Sequence, residues 1–140
     1  TCLDTSGIRL DEEVKLLLKH CDRVLLDIKY TCDEDYKKNV GTSIYPVLKF
    51  LDYLNKQNIP TTIRQVIIPT VNDNAENLNK LKEIIKAHPC VDGVELLPFR
   101  KICQVKYDQM GIDFPFSDIA EADASSVRKM ETDLLISLKD

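Results

Sequence analysis

The sequence predicts an α/β fold, a partial (β/α) barrel of parallel strands. β-like runs and amphipathic helical stretches alternate about every 30 residues, which is the pattern of right-handed βαβ units. A doubly wound sheet shares this pattern, but no G-x-G-x-x-G follows the first strand and the chain has only four glycines. At 140 residues, the chain is predicted to be a single domain, 1–140, about half of a complete eight-unit barrel of roughly 250 residues.

Alternation and β-branched content predict the strands, and apolar residues at helical spacing predict the helices. The first strand ends in TCLDTSG, and three complete strands are predicted at 23–30, 61–69 and 93–99. Helices are predicted at 10–21, 44–57, 73–88 and 125–139. Asp73 or Asn74 is the expected cap of the third helix.

Residues 98–118 have no clear periodicity, but they contain the aromatic residues Phe99, Tyr107, Phe114 and Phe116. Long loops in compact domains are usually functional or disordered, and the aromatic residues argue against disorder. We expect an ordered surface loop that covers the barrel mouth or meets a partner; a loop that merely plugs the barrel is the alternative.

Composition is ordinary for a soluble cytoplasmic protein, with 44% apolar and 30% charged residues. The net charge of −4 argues against nucleic acid as the main partner, and no apolar run is long enough to suggest a membrane span. Five cysteines without C-x-x-C spacing indicate neither a disulfide framework nor an iron–sulfur or metal site within this sequence.

Charged residues interrupt the predicted strands near their carboxyl ends. In VLLDIKY, alternation places Asp27 and Lys29 on the face opposite the apolar Val24, Leu26 and Ile28. Barrels bind ligands at this end of their strands, on inward-facing side chains. Unpaired buried charge is costly, so these groups are either paired internally or kept for a ligand.

The next strand adds Arg64 to this region, and the first strand ends in Asp4. A carboxylate can accept hydrogen bonds from a ribose diol, and a guanidinium can bind a carboxylate. The four residues Asp4, Asp27, Lys29 and Arg64 therefore suit a zwitterionic or polyhydroxylated ligand. An internal salt-bridge cluster that only sets packing is the alternative.

Four motifs occur in order over nearly the whole chain: TCLDTSG; VLLDIK; IR…IP followed by ND; and ELLPF followed by KY…MG. Together they resemble the C-terminal part of the glycyl-radical-enzyme activating enzymes of the radical S-adenosylmethionine (SAM) superfamily. The resemblance implies the C-terminal half of a (β/α)6 radical-SAM barrel.

For function, the resemblance implies an anaerobic oxidoreductase that cleaves SAM at a [4Fe–4S] cluster. The resulting 5′-deoxyadenosyl radical takes a hydrogen atom from a glycine of a partner such as pyruvate formate-lyase. Flavodoxin or ferredoxin is the implied electron donor. The cluster-binding loop is expected to precede Thr1, so we expect a cofactor-pocket fragment that is inactive alone and self-associates through open sheet edges.

The same resemblance implies roles for individual residues but no catalytic residue within this sequence. Asp27, Lys29 and Arg64 correspond to positions that line the SAM pocket, and Asp4 is expected beside them. Asp4 and Thr5 resemble a family Asp-Thr pair that, with Asp27 and the carbonyl of residue 25, holds a monovalent cation.

Two positions depart from the family pattern. Arg100 stands where a cofactor-contacting histidine is usual, so Arg100 is itself a cofactor-binding candidate. Thr70 follows Pro69 where glycine is usual, and it must therefore take the turn. Both departures are compatible with an activase whose partner is not pyruvate formate-lyase.

Two other functions remain open from the sequence. Lys29 on a barrel strand also suits a Schiff-base lyase or aldolase. A half-barrel with exposed edges also suits a non-enzymatic scaffold.

Overall fold

A computed structural model describes residues 1–139 and confirms an α/β fold with parallel strands. Strands and helices alternate over most of the chain. The elements are β1 (Cys2–Thr5), α1 (Glu12–Leu18), β2 (Arg23–Asp27), α2 (Asp33–Val40), α3 (Tyr45–Lys56), β3 (Thr61–Ile67), α4 (Ala75–Ala87), β4 (Val91–Pro98), α5 (Gln104–Met110) and α6 (Ala124–Ser137).

The four strands form one parallel sheet in the order β1-β2-β3-β4, and this sheet does not close on itself. The prediction of a partial barrel is therefore confirmed. In the register of the sheet, Asp4 lies beside Leu25, and Asp27, Arg64 and Glu95 lie side by side on β2, β3 and β4. Residues in register share a face, so this layer of three charged residues crosses the sheet on one side.

The two faces of the sheet differ in polarity, as the alternation in β2 predicts. Val24, Leu26 and Ile28 are fully buried in the apolar core beneath the helices. We call the other side, which carries Asp27 and Arg64, the inner face. Burying a side chain such as Leu26 contributes about 2 kcal/mol relative to leaving it in water, so this pattern fixes which face the helices cover.

Local chemistry sets the helix ends. Asn74, rather than Asp73, caps α4, its Oδ1 accepting from the backbone nitrogen of Asn77 at 2.9 Å. Gly41 and Gly111 end α2 and α5 in the left-handed conformation.

One strand end and two short helices differ most from the sequence prediction. The strand predicted at 23–30 ends at Asp27, because the chain leaves the sheet there and turns toward α2. Helix α2 was not predicted, and α5 lies within the segment 98–118 that was predicted to be a loop. Both helices have fewer than nine residues and bury at most one side chain each, so they leave little periodic signal.

The outer edge of β4 is covered by α6, where Glu131 accepts a hydrogen bond from the backbone nitrogen of Leu96 at 2.6 Å. An edge amide satisfied by a side chain is not available to another strand. Within residues 1–139, no helix combines the length and apolarity needed to cross a lipid bilayer.

Candidate functional site

Arg64 is the centre of an ion-pair network on the inner face. Its Nε donates to Oδ1 of Asp27 at 3.0 Å, and its Nη2 lies 2.5 Å from Oδ1 of Asp4. Nη2 is also 2.9 Å from Asp27, so one guanidinium joins carboxylates from two strands. The predicted meeting of Asp4, Asp27 and Arg64 is what the structure shows.

Lys29 completes this network from the chain that follows β2. Its Nζ lies 2.7 Å from Oδ2 of Asp27, so each oxygen of the Asp27 carboxylate contacts a different cation. We call Asp4, Asp27, Lys29 and Arg64 the mouth cluster. Its two carboxylates and two cations balance, so the cluster carries no net charge.

Arg64 is the least accessible member, with 19% of its side chain exposed. Partial burial alone lowers the pKa of the guanidinium, but hydrogen bonds and charge from Asp27 and Asp4 outweigh burial and raise that pKa above its usual value. Arg64 is therefore a permanent cation at any physiological pH. Its Nη1 makes no hydrogen bond within residues 1–139, so this nitrogen can donate to a ligand.

A cavity of about 500 Å³ adjoins the mouth cluster, with Lys29 at the boundary between them. The cavity lies where the strands end, beneath α5 and the segment around it. Apart from polar groups at its margin, its lining is aromatic and aliphatic: Tyr30, Val66, Ile68, Phe99, Phe114 and Phe116. Apolar pockets with a few charged groups at one end are the usual form of small-ligand sites.

The aromatic residues of segment 98–118 hold it in place, as the expectation of an ordered segment requires. The ring of Phe114 is within 6.4 Å of the rings of Phe99, Tyr107 and Phe116. Four apolar side chains of segment 98–118 are open to solvent, each of them more than half exposed: Ile102, Val105, Met110 and Ile112.

Thr5 and Arg100 lie apart from the mouth cluster. Thr5 is in register with Leu26, on the helix side, and its hydroxyl accepts from the backbone nitrogen of Gly7 at 3.1 Å. Arg100 Nη1 donates to Glu121 at 3.2 Å, and the other oxygen of Glu121 accepts from the backbone nitrogen of Lys101. These contacts join the two ends of segment 100–121.

Thr70 takes the turn after Pro69 in the left-handed conformation, with φ of 65°. This confirms the expectation that Thr70 takes the turn. A β-branched residue in this region is strained. Asn72 supports the turn by accepting from the backbone nitrogen of Ile68 at 2.7 Å.

The described residues do not provide a site for an iron–sulfur cluster. All five cysteines are free, and residues 1–139 contain no group of three or more histidine, cysteine or acidic side chains placed to hold a metal ion. A cluster therefore does not fit the part of the protein that the structure describes.

A radical SAM superfamily model matches residues 1–83, which is more than half of the chain. The chain belongs to the radical SAM superfamily. This assignment agrees with the parallel sheet and with a mouth cluster contributed by β1, β2 and β3, all within the matched region.

Relatives of this radical SAM chain include activating enzymes. It is 37% identical over 131 residues to the pyruvate formate-lyase-activating enzyme of Clostridium pasteurianum, covering 94% of this chain and 55% of that protein. It is 33% identical over 121 residues to the pyruvate formate-lyase 1-activating enzyme of Escherichia coli K12, covering 85% and 49% respectively. The chain thus spans about half the length of these relatives.

Solved structures show the same fold. A domain of the pyruvate-formate lyase-activating enzyme from Bacteroides vulgatus superposes with a TM-score of 0.75 at 17% identity, covering 99% of this chain and 76% of that one. A radical SAM methyltransferase from Sphaerobacter thermophilus superposes with a TM-score of 0.60 at 15% identity, covering 98% and 37%.

Proposed function

We propose that this chain forms the SAM-binding part of an activating enzyme that generates a glycyl radical on a partner enzyme such as pyruvate formate-lyase. The mouth cluster is the observation that carries the proposal, because it places carboxylates and cations beside an aromatic-lined cavity at the ligand-binding end of the strands. The names and identity of the relatives support the same activity.

In this proposal, each member of the mouth cluster has a separate role toward SAM. Arg64 donates to the carboxylate of SAM through Nη1, which makes no hydrogen bond among residues 1–139. Asp27 and Lys29 orient the ribose or sulfonium region, and the aromatic cavity receives the adenine. When bound, SAM supplies the radical-forming chemistry; the residues of this chain bind and orient it.

Asp4 and Asp27 also form the acidic part of the proposed monovalent-cation site, with the carbonyl of Leu25. Thr5 could take part only through its backbone, because its hydroxyl lies on the helix side and accepts from a backbone nitrogen there. The two carboxylates contact Arg64 in this structure. A cation would therefore share them with the guanidinium. For the cluster, we propose ligands outside the described residues.

Lys29 also bears on the Schiff-base alternative. A catalytic amine is activated by desolvation or by neighbouring cations. Lys29 is instead 41% exposed and paired with a carboxylate, which favours a binding role.

The test uses the gene product at its native length, purified anaerobically. We expect Arg64→Ala and Asp27→Ala each to abolish reductive cleavage of SAM and to weaken its binding in calorimetry. Arg23→Ala is the matched control, because it removes an arginine from the same sheet face outside the mouth cluster. Wild-type cleavage by both mouth variants would overturn the proposal, and trapping of a carbonyl substrate on Lys29 by borohydride would replace it with the lyase alternative.

We further propose that segment 98–118 docks the partner glycyl-radical enzyme through its exposed side chains. Ile102, at 82% exposed, is the most accessible of them. We expect Ile102→Glu to reduce glycyl-radical formation on the partner, measured by electron paramagnetic resonance, while SAM binding is unchanged. Ile136→Glu, which alters an exposed apolar residue on α6, is the control. Normal activation by the Ile102 variant would exclude this surface.

A further inference from the structure

Among the residues that the structure describes, Glu95 differs from the other charged residues of the inner face because its side chain has no partner. It lies on β4 in register with Arg64, between Val94 and Leu96, which are buried on the helix side. Its side chain is exposed and makes no hydrogen bond or ion pair within residues 1–139, whereas every member of the mouth cluster is paired.

The register of β2, β3 and β4 explains why Glu95 is not paired with Arg64. Asp27 and Glu95 flank Arg64 on the two neighbouring strands, and both are acidic. Arg64 uses Nε and Nη2 on the β2 and β1 side, for Asp27 and Asp4. The carboxylate on the β4 side is therefore not neutralised by any group in the described part of the chain.

Glu95 therefore gives the inner face a net charge. The mouth cluster is balanced, so Glu95 gives this layer of the inner face one uncompensated negative charge. SAM has a carboxylate, an ammonium and a sulfonium, hence one net positive charge. Its demethylated counterpart, S-adenosylhomocysteine, has a neutral thioether in place of the sulfonium and no net charge.

We propose that Glu95 is a specificity-determining residue whose charge favours the sulfonium of SAM over the thioether of S-adenosylhomocysteine. This rests on the proposed SAM-binding function. The balanced mouth cluster recognises the groups that the two ligands share, and Glu95 adds an attraction that only the sulfonium form experiences. The charge acts through space, so it needs no direct contact with the sulfur.

The experiment compares both ligands by isothermal titration calorimetry at low ionic strength, where exposed charges are least screened. It uses the native-length gene product, unaltered and as Glu95→Gln, which removes the charge and keeps the shape. We expect Glu95→Gln to lower the affinity for SAM about fivefold and to leave that for S-adenosylhomocysteine unchanged. Added salt should reduce the difference in the unaltered protein and have little effect in the variant.

Glu83→Gln removes the same charge from the exposed face of α4 and is the control for net charge. Equal weakening of both ligands by Glu95→Gln, no weakening of either, or the same effect in Glu83→Gln would overturn the proposal. SAM binding by the unaltered protein would leave the proposed function intact in each of these cases. Failure of the unaltered protein to bind SAM would overturn both.

Discussion

Two arginines on the inner face of the same sheet are held in opposite ways. Arg23, at the start of β2, binds both oxygens of Asp92 through Nη1 and Nη2, at 2.7 and 2.6 Å, and donates to the hydroxyl of Thr62. We call Arg23, Thr62 and Asp92 the floor cluster. Arg64, at the carboxyl ends, instead divides its donors between two carboxylates, and its Nη1 makes no hydrogen bond within residues 1–139.

The two clusters therefore have different roles on the same sheet face: the floor cluster stabilises the fold, and the mouth cluster has groups available for a ligand. In the floor cluster Arg23 and Asp92 form a bidentate pair, which fixes their geometry and uses both oxygens of the Asp92 carboxylate. In the mouth cluster the charges balance, but donors remain, and Glu95 adds an unpaired acid. Perturbing the floor should therefore change stability, and perturbing the mouth should change ligand affinity.

The largest stability effect is expected at Gly93, which is in register with Thr62 of the floor cluster. A Cβ at this position would lie 2.9 Å from Oγ1 and 3.3 Å from Cγ2 of Thr62, so Thr62 must shift and weaken its bond to Arg23. We expect Gly93→Ala to lower the free energy of unfolding by about 2 kcal/mol, measured in urea, with no change in SAM affinity.

A double variant tests the cause. Thr62→Ala removes the atoms that a Cβ at Gly93 would meet, so Gly93→Ala should cost less in that background. Equal cost in both backgrounds would show that the crowding against Thr62 is not responsible.

At Lys29 in the mouth cluster we expect a large effect on ligand affinity and a small effect on stability. Lys29 is 41% exposed, so its pair with Asp27 should contribute less than about 0.5 kcal/mol to folding. We expect Lys29→Met to leave the unfolding midpoint nearly unchanged and to lower SAM affinity about tenfold, because SAM then loses a donor beside the cavity. A large loss of stability with normal binding would reverse the assignment of the two clusters.

The smallest effect is expected from Asp92→Asn in the floor cluster. The pair is accessible, with 39% of Arg23 and 47% of Asp92 exposed, so we expect the melting temperature to fall by less than about 2 °C at neutral pH.

The pH dependence of this stability difference tests whether Arg23 stabilises the charged form of Asp92. Hydrogen bonds from Arg23 lower the pKa of Asp92 below its usual 3.8. A carboxyl with a depressed folded-state pKa stabilises the fold above the usual value and loses that contribution as pH falls through the lowered one. The difference in stability between the unaltered protein and Asp92→Asn, followed by thermal melting, should be constant above about pH 5 and shrink as the pH falls further. A difference that persists into acid would mean that Arg23 does not favour the charged form.

Much of this arrangement could be predicted from sequence. Alternation in VLLDIKY identifies which face of β2 is buried, because the period of two puts Val24, Leu26 and Ile28 on one side. It also places Asp27 opposite them, and parallel strand order brings Arg64 beside it. In β3, Gln65 breaks the apolar pattern, but the buried amide is satisfied by Asn77 of α4 at 2.8 Å. That partner is twelve residues away and could not be read from the strand.

The sequence around Glu95 contains a pattern that indicates which face of β4 this residue occupies. In GVELLPF the acid alternates with Val94 and Leu96, which places it on the same face as Arg64 once the register is known. Its lack of a partner, by contrast, depends on which carboxylates Arg64 reaches.

Local sequence patterns were enough to predict the four strands, four of the six helices in residues 1–139, the buried face of the sheet and the four residues of the mouth cluster, because hydrophobic periodicity and strand alternation are local properties. Which charges pair follows only from the folded arrangement of the chain. Arg64 reaches Asp4 across sixty residues, and Arg100 meets Glu121 across twenty-one. Ion pairing depends on distances of a few ångströms between distant parts of the chain, and those distances exist only after the sheet has set its register.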